Sequence, residues 1–132
     1  MKEEPINDYI QYRVERAHEA IEEAELLFSA RHYATTVNRL YYASFYVVFA
    51  LLLKSGYNTK THTGVRSLFN QHFGATGKVN KNQIQFYNEV FQKRHKGDYE
   101  ERPVFDPKDI EHLIQMAKGF VTRIENLIIE GN

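Results

Sequence analysis

Fourteen consecutive residues from Leu40 to Leu53, LYYASFYVVFALLL, carry no charge. A run this apolar has to be covered. It is shorter than the roughly 20 residues that span a bilayer core, so no membrane span is expected and the run reads as a buried core helix. Its apolar residues lie almost all round the helix, which marks either a helix surrounded by others or one sharing a face with a second subunit. The helix is predicted from Tyr33 to Ser55, with Gly56 ending it. The chain has 132 residues and a mass of 15.5 kDa, enough for a single domain over residues 1–132. Apolar residues at 42% and charged residues at 26% exclude a disordered or collagen-like chain.

The other elements are helical by the same criterion. One helix is predicted from Asn7 to Ala30, capped by Asn7 or Asp8, with Ile6, Ile10, Val14, Ala17, Ile21, Ala24, Leu27 and Phe28 as its buried stripe. A short helix capped by Thr61 or Thr63 reaches Phe73, and Gly74, Gly77 and Asn80 mark a loop. A further helix runs from Lys81 to Lys96 with Ile84, Tyr87, Val90, Phe91 and Arg94 on one face, and Gly97 closes it. Asp106–Pro107 is a helix start, with the cap followed by proline at the first helical position. No stretch alternates with period two. The expected fold is all-α, an antiparallel up-and-down bundle of four long helices plus one short helix.

The formal charge is zero, yet it is spread unevenly: −5 over residues 1–30, +7 over 31–100 and −2 over 101–132. An anionic partner is therefore expected to meet the middle of the chain, while zero net charge argues against strong non-specific nucleic-acid binding. There are no cysteines, which excludes a disulfide scaffold, a thiolate zinc site and a cysteine nucleophile. No cationic stretch followed by an apolar run and a cleavage site opens the chain, so a cytoplasmic rather than secreted protein is expected. No phosphate-binding glycine loop and no repeated Glu-x-x-His pair occurs. His62 and His72 stand ten residues apart on the short helix, about 15 Å on a helical rise, too far to share a metal ion. No cofactor and no metal are expected.

Two constellations carry chemistry. The first is Asn38, Arg39, Tyr41, Tyr42 and Ser44. Arg39 on so apolar a helix needs a carboxylate, or it borders a cleft that takes an anion. The second is Gln92 to Tyr99, in which Arg94 continues the buried face of its helix. Arg94 either pairs with Asp98 or another carboxylate to fasten the helix end, or aims a planar fork at a phosphate. His95 adds a group that titrates near neutral pH.

"NRLYYASFYVVFALL" at 38–52, "THTGVRSLFNQHF" at 61–73 and "FQKRHKGDYE" at 91–100 together resemble the HEPN superfamily, the higher-eukaryote and prokaryote nucleotide-binding domains, in its small stand-alone prokaryotic branch. The resemblance implies a helical bundle that pairs as a homodimer and binds or cuts RNA. It also implies a minimal nucleotidyltransferase as partner in a toxin–antitoxin pair. Active members are metal-independent ribonucleases with an Arg followed, after four to six residues, by a His, both facing a cleft that dimerisation completes. Arg94 matches the Arg. The positions for the His hold Tyr99, Glu100 and Glu101, and the nearest His is the adjacent His95.

Three readings follow. The first is a nucleotide- or RNA-binding domain, non-catalytic or weakly catalytic, using Arg39, Tyr42, Arg94, Asp98 and Tyr99. The second is a metal-independent endoribonuclease toxin using Arg94 with a displaced base, either His95 or a residue of a second subunit. The third is a structural dimerisation module.

Overall fold

The computed structural model describes residues 3–99 and 104–131, with side chains over 5–96 and 104–131. Helix α1 spans Glu3–Ser29, α2 Tyr33–Lys54, α3 His62–Phe69, α4 Lys81–Tyr99 and α5 Pro107–Glu130, and a π turn over Asn70–Gly74 continues α3. The fold is all-α, with four long helices and one short one, and no strand occurs among the described residues. α2 packs against α1, α3, α4 and α5. That central place accounts for its composition. Leu40, Tyr41, Ala43, Val47, Val48 and Ala50 are all fully buried. At 22 residues α2 is long enough to cross a bilayer, but two-thirds of its most apolar stretch is buried inside the bundle (67%), as befits a core helix.

Several boundaries follow from local chemistry. Thr61 caps α3 by accepting from the Gly64 amide, and Asp106 caps α5 by accepting from the Lys108 amide. Other boundaries differ from expectation. α1 starts at Glu3, so Asn7 and Asp8 lie inside it and are not its cap. Pro5 does not delay the start, because an amide in the first turn has no intrahelical partner to lose. Ile6, expected in the buried stripe, is 50% exposed. α4 runs through Gly97 to Tyr99. Glycine weakens a helix interior by about 1 kcal/mol but does not stop it where no positive φ is required. Residues 70–74 form a wider π turn, shown by the Ala75 amide bonding to the Asn70 carbonyl at 2.8 Å.

α1 and α2 end on the same motif. At the end of α2 the Tyr57 amide bonds to the Leu52 carbonyl and the Gly56 amide to the Leu53 carbonyl, with Gly56 at φ +87°. At the end of α1 the His32 amide bonds to the Leu27 carbonyl and the Arg31 amide to the Phe28 carbonyl, with Arg31 at φ +65°. The left-handed conformation costs a side-chain-bearing residue about 1–2 kcal/mol, part of which glycine gives back through the entropy of the unfolded chain. Arg31→Gly is expected to raise unfolding free energy by about 0.5–1 kcal/mol. A urea titration reads this, and an unchanged or lower midpoint contradicts it.

Candidate functional site

The site forms where the N-terminal half of α2, the start of α3 and the end of α4 converge. α2 contributes two adjacent tyrosines that point differently. Tyr41 is fully buried, whereas Tyr42 is half-buried, with ring centroids 5.2 Å apart. α3 contributes His62 at its first position. Its ring stacks on Phe45 at 4.4 Å, and its Nδ1 lies 2.5 Å from the Tyr41 hydroxyl. The cap on Thr61 sets this placement. A Cβ on Gly64 would run into the hydroxyls of Thr59 and Thr61, so the turn closes this tightly only with glycine there.

α4 contributes Arg94, whose guanidinium carbon lies 4.8 Å from the Tyr41 ring centroid and 6.0 Å from that of Tyr42. Arg66, one turn beyond His62, sits 4.1 Å over the Phe91 ring. Together Arg66, Phe91, Gln92 and His95 line a cleft of about 310 Å³. Arg39 lies 5.2 Å over Tyr42, donates to Asn38 Oδ1 at 2.8 Å and meets Glu23 at 3.6 Å. It therefore has its carboxylate, on α1, while still bordering the aromatic wall. Three guanidiniums thus sit on the faces of three rings, Tyr41, Tyr42 and Phe91.

Burial and charge set the titration of this cluster. Burial pushes the Tyr41 phenol far above its ordinary value and outweighs the opposing pull of Arg94, so the hydroxyl keeps its proton at neutral pH. Burial, then the charge of Arg94, lower His62 below the ordinary histidine value, so its neutral form prevails at pH 7. Tyr87 stacks parallel to Tyr41 at 6.4 Å and is driven up in the same way by full burial.

The structure brings Arg94, Tyr42 and Arg39 together and places His95 on the neighbouring cleft. Asp98 and Tyr99 lie in the last turn of α4, and their side chains fall outside the described residues. His62 and His72 do not share a surface: His62 lies on Phe45, whereas His72 stacks on Tyr57 at 4.3 Å. Sequence reasoning weighed His62 only as a metal ligand and gave Arg66 no role. The signal was present in the Thr61-His62-Thr63-Gly64 turn with Arg66 one helical turn on, a cap that fixes His62 and sets Arg66 on the same face.

The apolar excess of α2 is largely covered within the chain, the first of the two alternatives that its composition left open. Phe45, Val48 and Leu52 are 7%, 0% and 2% exposed. What stays half-buried on α2 is Tyr42, Tyr46 and Phe49. These continue onto α1, where Tyr9 meets Phe49 edge-on at 6.3 Å and stacks with Tyr12 at 6.4 Å. Arg13 lies across Tyr9, Tyr46 and Phe49.

A sequence model described as "HEPN domain" matches residues 10–127. A "UPF0332 protein" of Thermotoga maritima is 44% identical over 119 residues, 90% of each chain. The protein named "Putative toxin MJ0142" of Methanocaldococcus jannaschii is 29% identical over 119 residues, covering 90% of this chain and 81% of its own. A second from that organism, "Putative toxin MJ0605", is 32% identical over 126 residues, 95% of this chain and 92% of its own. With its helices, its tyrosine pair and Arg94 in the order that this resemblance required, the chain belongs to the HEPN domain family.

Proposed function

We propose that this chain is an RNA- or nucleotide-binding HEPN protein of the toxin class, acting in the cytoplasm as a homodimer. Its ligand lies in the crevice between α2, α3 and α4, and its cellular counterpart is a minimal nucleotidyltransferase. The observation that carries this reading is the half-buried guanidinium of Arg94 lying 4.8 Å over the Tyr41 ring. A planar fork held by a ring matches two phosphate oxygens without being reorganised. Arg66 and Arg39 flank it, and Tyr42 and Phe91 offer faces on which a base stacks. Asp98 and Tyr99 border the same end of α4 and are proposed to contribute to binding. The toxin names of two relatives support the class.

The dimer is supported by Ile6, Tyr9 and Tyr12, which are 50%, 40% and 52% exposed beside half-buried Tyr46 and Phe49. This patch adjoins the crevice, since Tyr42 meets Tyr46 at 5.8 Å, so a second copy seated there would wall the crevice.

One experiment tests both parts. Light scattering should report twice the 15.5 kDa chain mass. A short single-stranded RNA or a mononucleotide should raise the melting midpoint, and affinity for the RNA should fall as salt rises. A particle of single-chain mass overturns the dimer. A midpoint moved by neither ligand overturns the binding reading.

A further inference from the structure

We propose that the chain has a second ligand site at the other end of α2, for a small phosphate monoester that carries a flat ring. The site is a cavity of about 580 Å³ where the C-terminal ends of α2 and α5 meet the π turn that follows α3. It shares no lining residue with the cleft of Arg66, Phe91, Gln92 and His95. Along α2, Lys54 at this end lies roughly 20 Å from Tyr41 at the crevice, at a helical rise of about 1.5 Å per residue.

The lining is basic. Lys54, Lys78 and Arg123 face a single carboxylate, that of Glu130. The formal excess is two positive charges, which matches a phosphate monoester above its second ionisation at about pH 6. These cations are not consumed by the fold. Lys78 is exposed, lies 5.6 Å over the Phe73 ring and has no carboxylate within ion-pair distance among the described residues. Arg123 is anchored without being neutralised. Its Nη2 donates to the Lys78 carbonyl at 2.8 Å, while Nη1 stands 4.0 Å from Glu130, beyond hydrogen-bond reach. A guanidinium has five N–H donors, so the fork keeps enough of them for two phosphate oxygens. The same bond ties α5 to the backbone that carries Lys78, which holds the two cations in one place. Lys54 adds to the field from the last turn of α2. That helix end is already satisfied by the chain, because the carbonyls of Leu51, Leu52 and Leu53 accept from the amides of Ser55, Tyr57 and Gly56.

The ring half of the ligand follows from Tyr57 and His72. Both are half-buried on the lining, and they stack at 4.3 Å with 21° between their planes. Tyr57 follows α2, whereas His72 sits on the π turn over Asn70–Gly74. Turns of this kind recur at functional sites. This one sets an imidazole against a tyrosine ring, and the Thr76 hydroxyl secures it by donating to the His72 carbonyl at 2.8 Å. Leu51, Phe73 and Leu127 extend the wall with apolar surface. A ligand of charge alone leaves that wall unused, whereas a ringed monoester uses both parts.

The test titrates the full chain with phenyl phosphate, by calorimetry and by following the ring resonances of Tyr57 and His72. Wild type should bind with a Kd of about 1 mM or tighter, within reach of so small a ligand, and both rings should shift. Phenyl sulfate keeps the shape with one charge fewer, and inorganic phosphate keeps the charge without the ring. Each should bind about fivefold or more weakly. Arg123→Gln should weaken phenyl phosphate about tenfold or more, through loss of the charged fork. Arg123 also ties α5 to Lys78, so the second variant is Lys78→Gln. Its side chain is exposed, so folding should be unchanged and affinity should fall about threefold to tenfold. No heat and no shift up to about 10 mM phenyl phosphate overturns the proposal. So does equal affinity for either control ligand, or unchanged affinity in both folded variants. Shifts at Tyr42 and Phe91 in place of Tyr57 and His72 would put the monoester in the Arg94 crevice and overturn it as well.

Discussion

Arg94→Ala should lower affinity for a short single-stranded RNA by about tenfold to a hundredfold. The bonds lost are charge-assisted, each worth about 1.5–3 kcal/mol, and about 1.4 kcal/mol corresponds to tenfold. Folding should suffer less. Among the intramolecular contacts removed, the stack of the guanidinium on Tyr41 at 4.8 Å is worth about 0.5–2 kcal/mol. Arg94→Lys separates charge from shape. It keeps the cation and loses the planar fork, so it should recover only part of the affinity. Fluorescence anisotropy at fixed salt, beside a melting curve for each variant, reads both quantities. Unchanged affinity in a folded Arg94→Ala protein would mean that the RNA sits elsewhere.

The largest effect on stability is expected at Phe120. Its side chain is fully buried on α5 and packs on Phe69 at 5.8 Å, Phe86 at 5.4 Å and Tyr87 at 5.6 Å. Phe120→Ala removes a ring that three neighbouring rings cannot move in to replace, and should cost about 3–5 kcal/mol. Domains of this kind hold about 5–15 kcal/mol in all, so the variant should unfold at markedly lower urea. A loss under about 1 kcal/mol would show that α4 and α5 close up around the void.

Much of the fold was legible because it rests on strong local signals. The charge-free run marked α2 as a buried core helix, and of the two candidate caps Thr61 and Thr63 it is Thr61 that caps α3, as Asp106 caps α5. The misread boundaries were places where a residue with a reputation for breaking helices sits where breaking costs little. Pro5 lies in a first turn, and Gly97 lies where no left-handed backbone is needed. The π turn over Asn70–Gly74 has no periodic signature in so short a stretch.

The site was legible only in part, for a different reason. Arg94 stood out because it continued an apolar stripe, a property of one helix. His62 belongs to the site through its contacts with Tyr41 and Phe45, which lie on another helix, and no spacing rule reaches across helices. The expected partner surface shows the same limit. The apolar excess of α2 left open whether other helices of the chain or a second subunit cover it, and most of it covers α1, α4 and α5.

Tyr41 has one further consequence. Its ring stacks inward on Tyr87, while its hydroxyl and outer face serve His62 and Arg94. A position with both duties has almost no room to drift. A smaller residue empties the interior, and a phenylalanine unhooks the imidazole. In a randomised library screened first for solubility and then for binding of a short single-stranded RNA, position 41 should be rejected at both gates, whereas changes at Arg94 should pass the first and fail only the second.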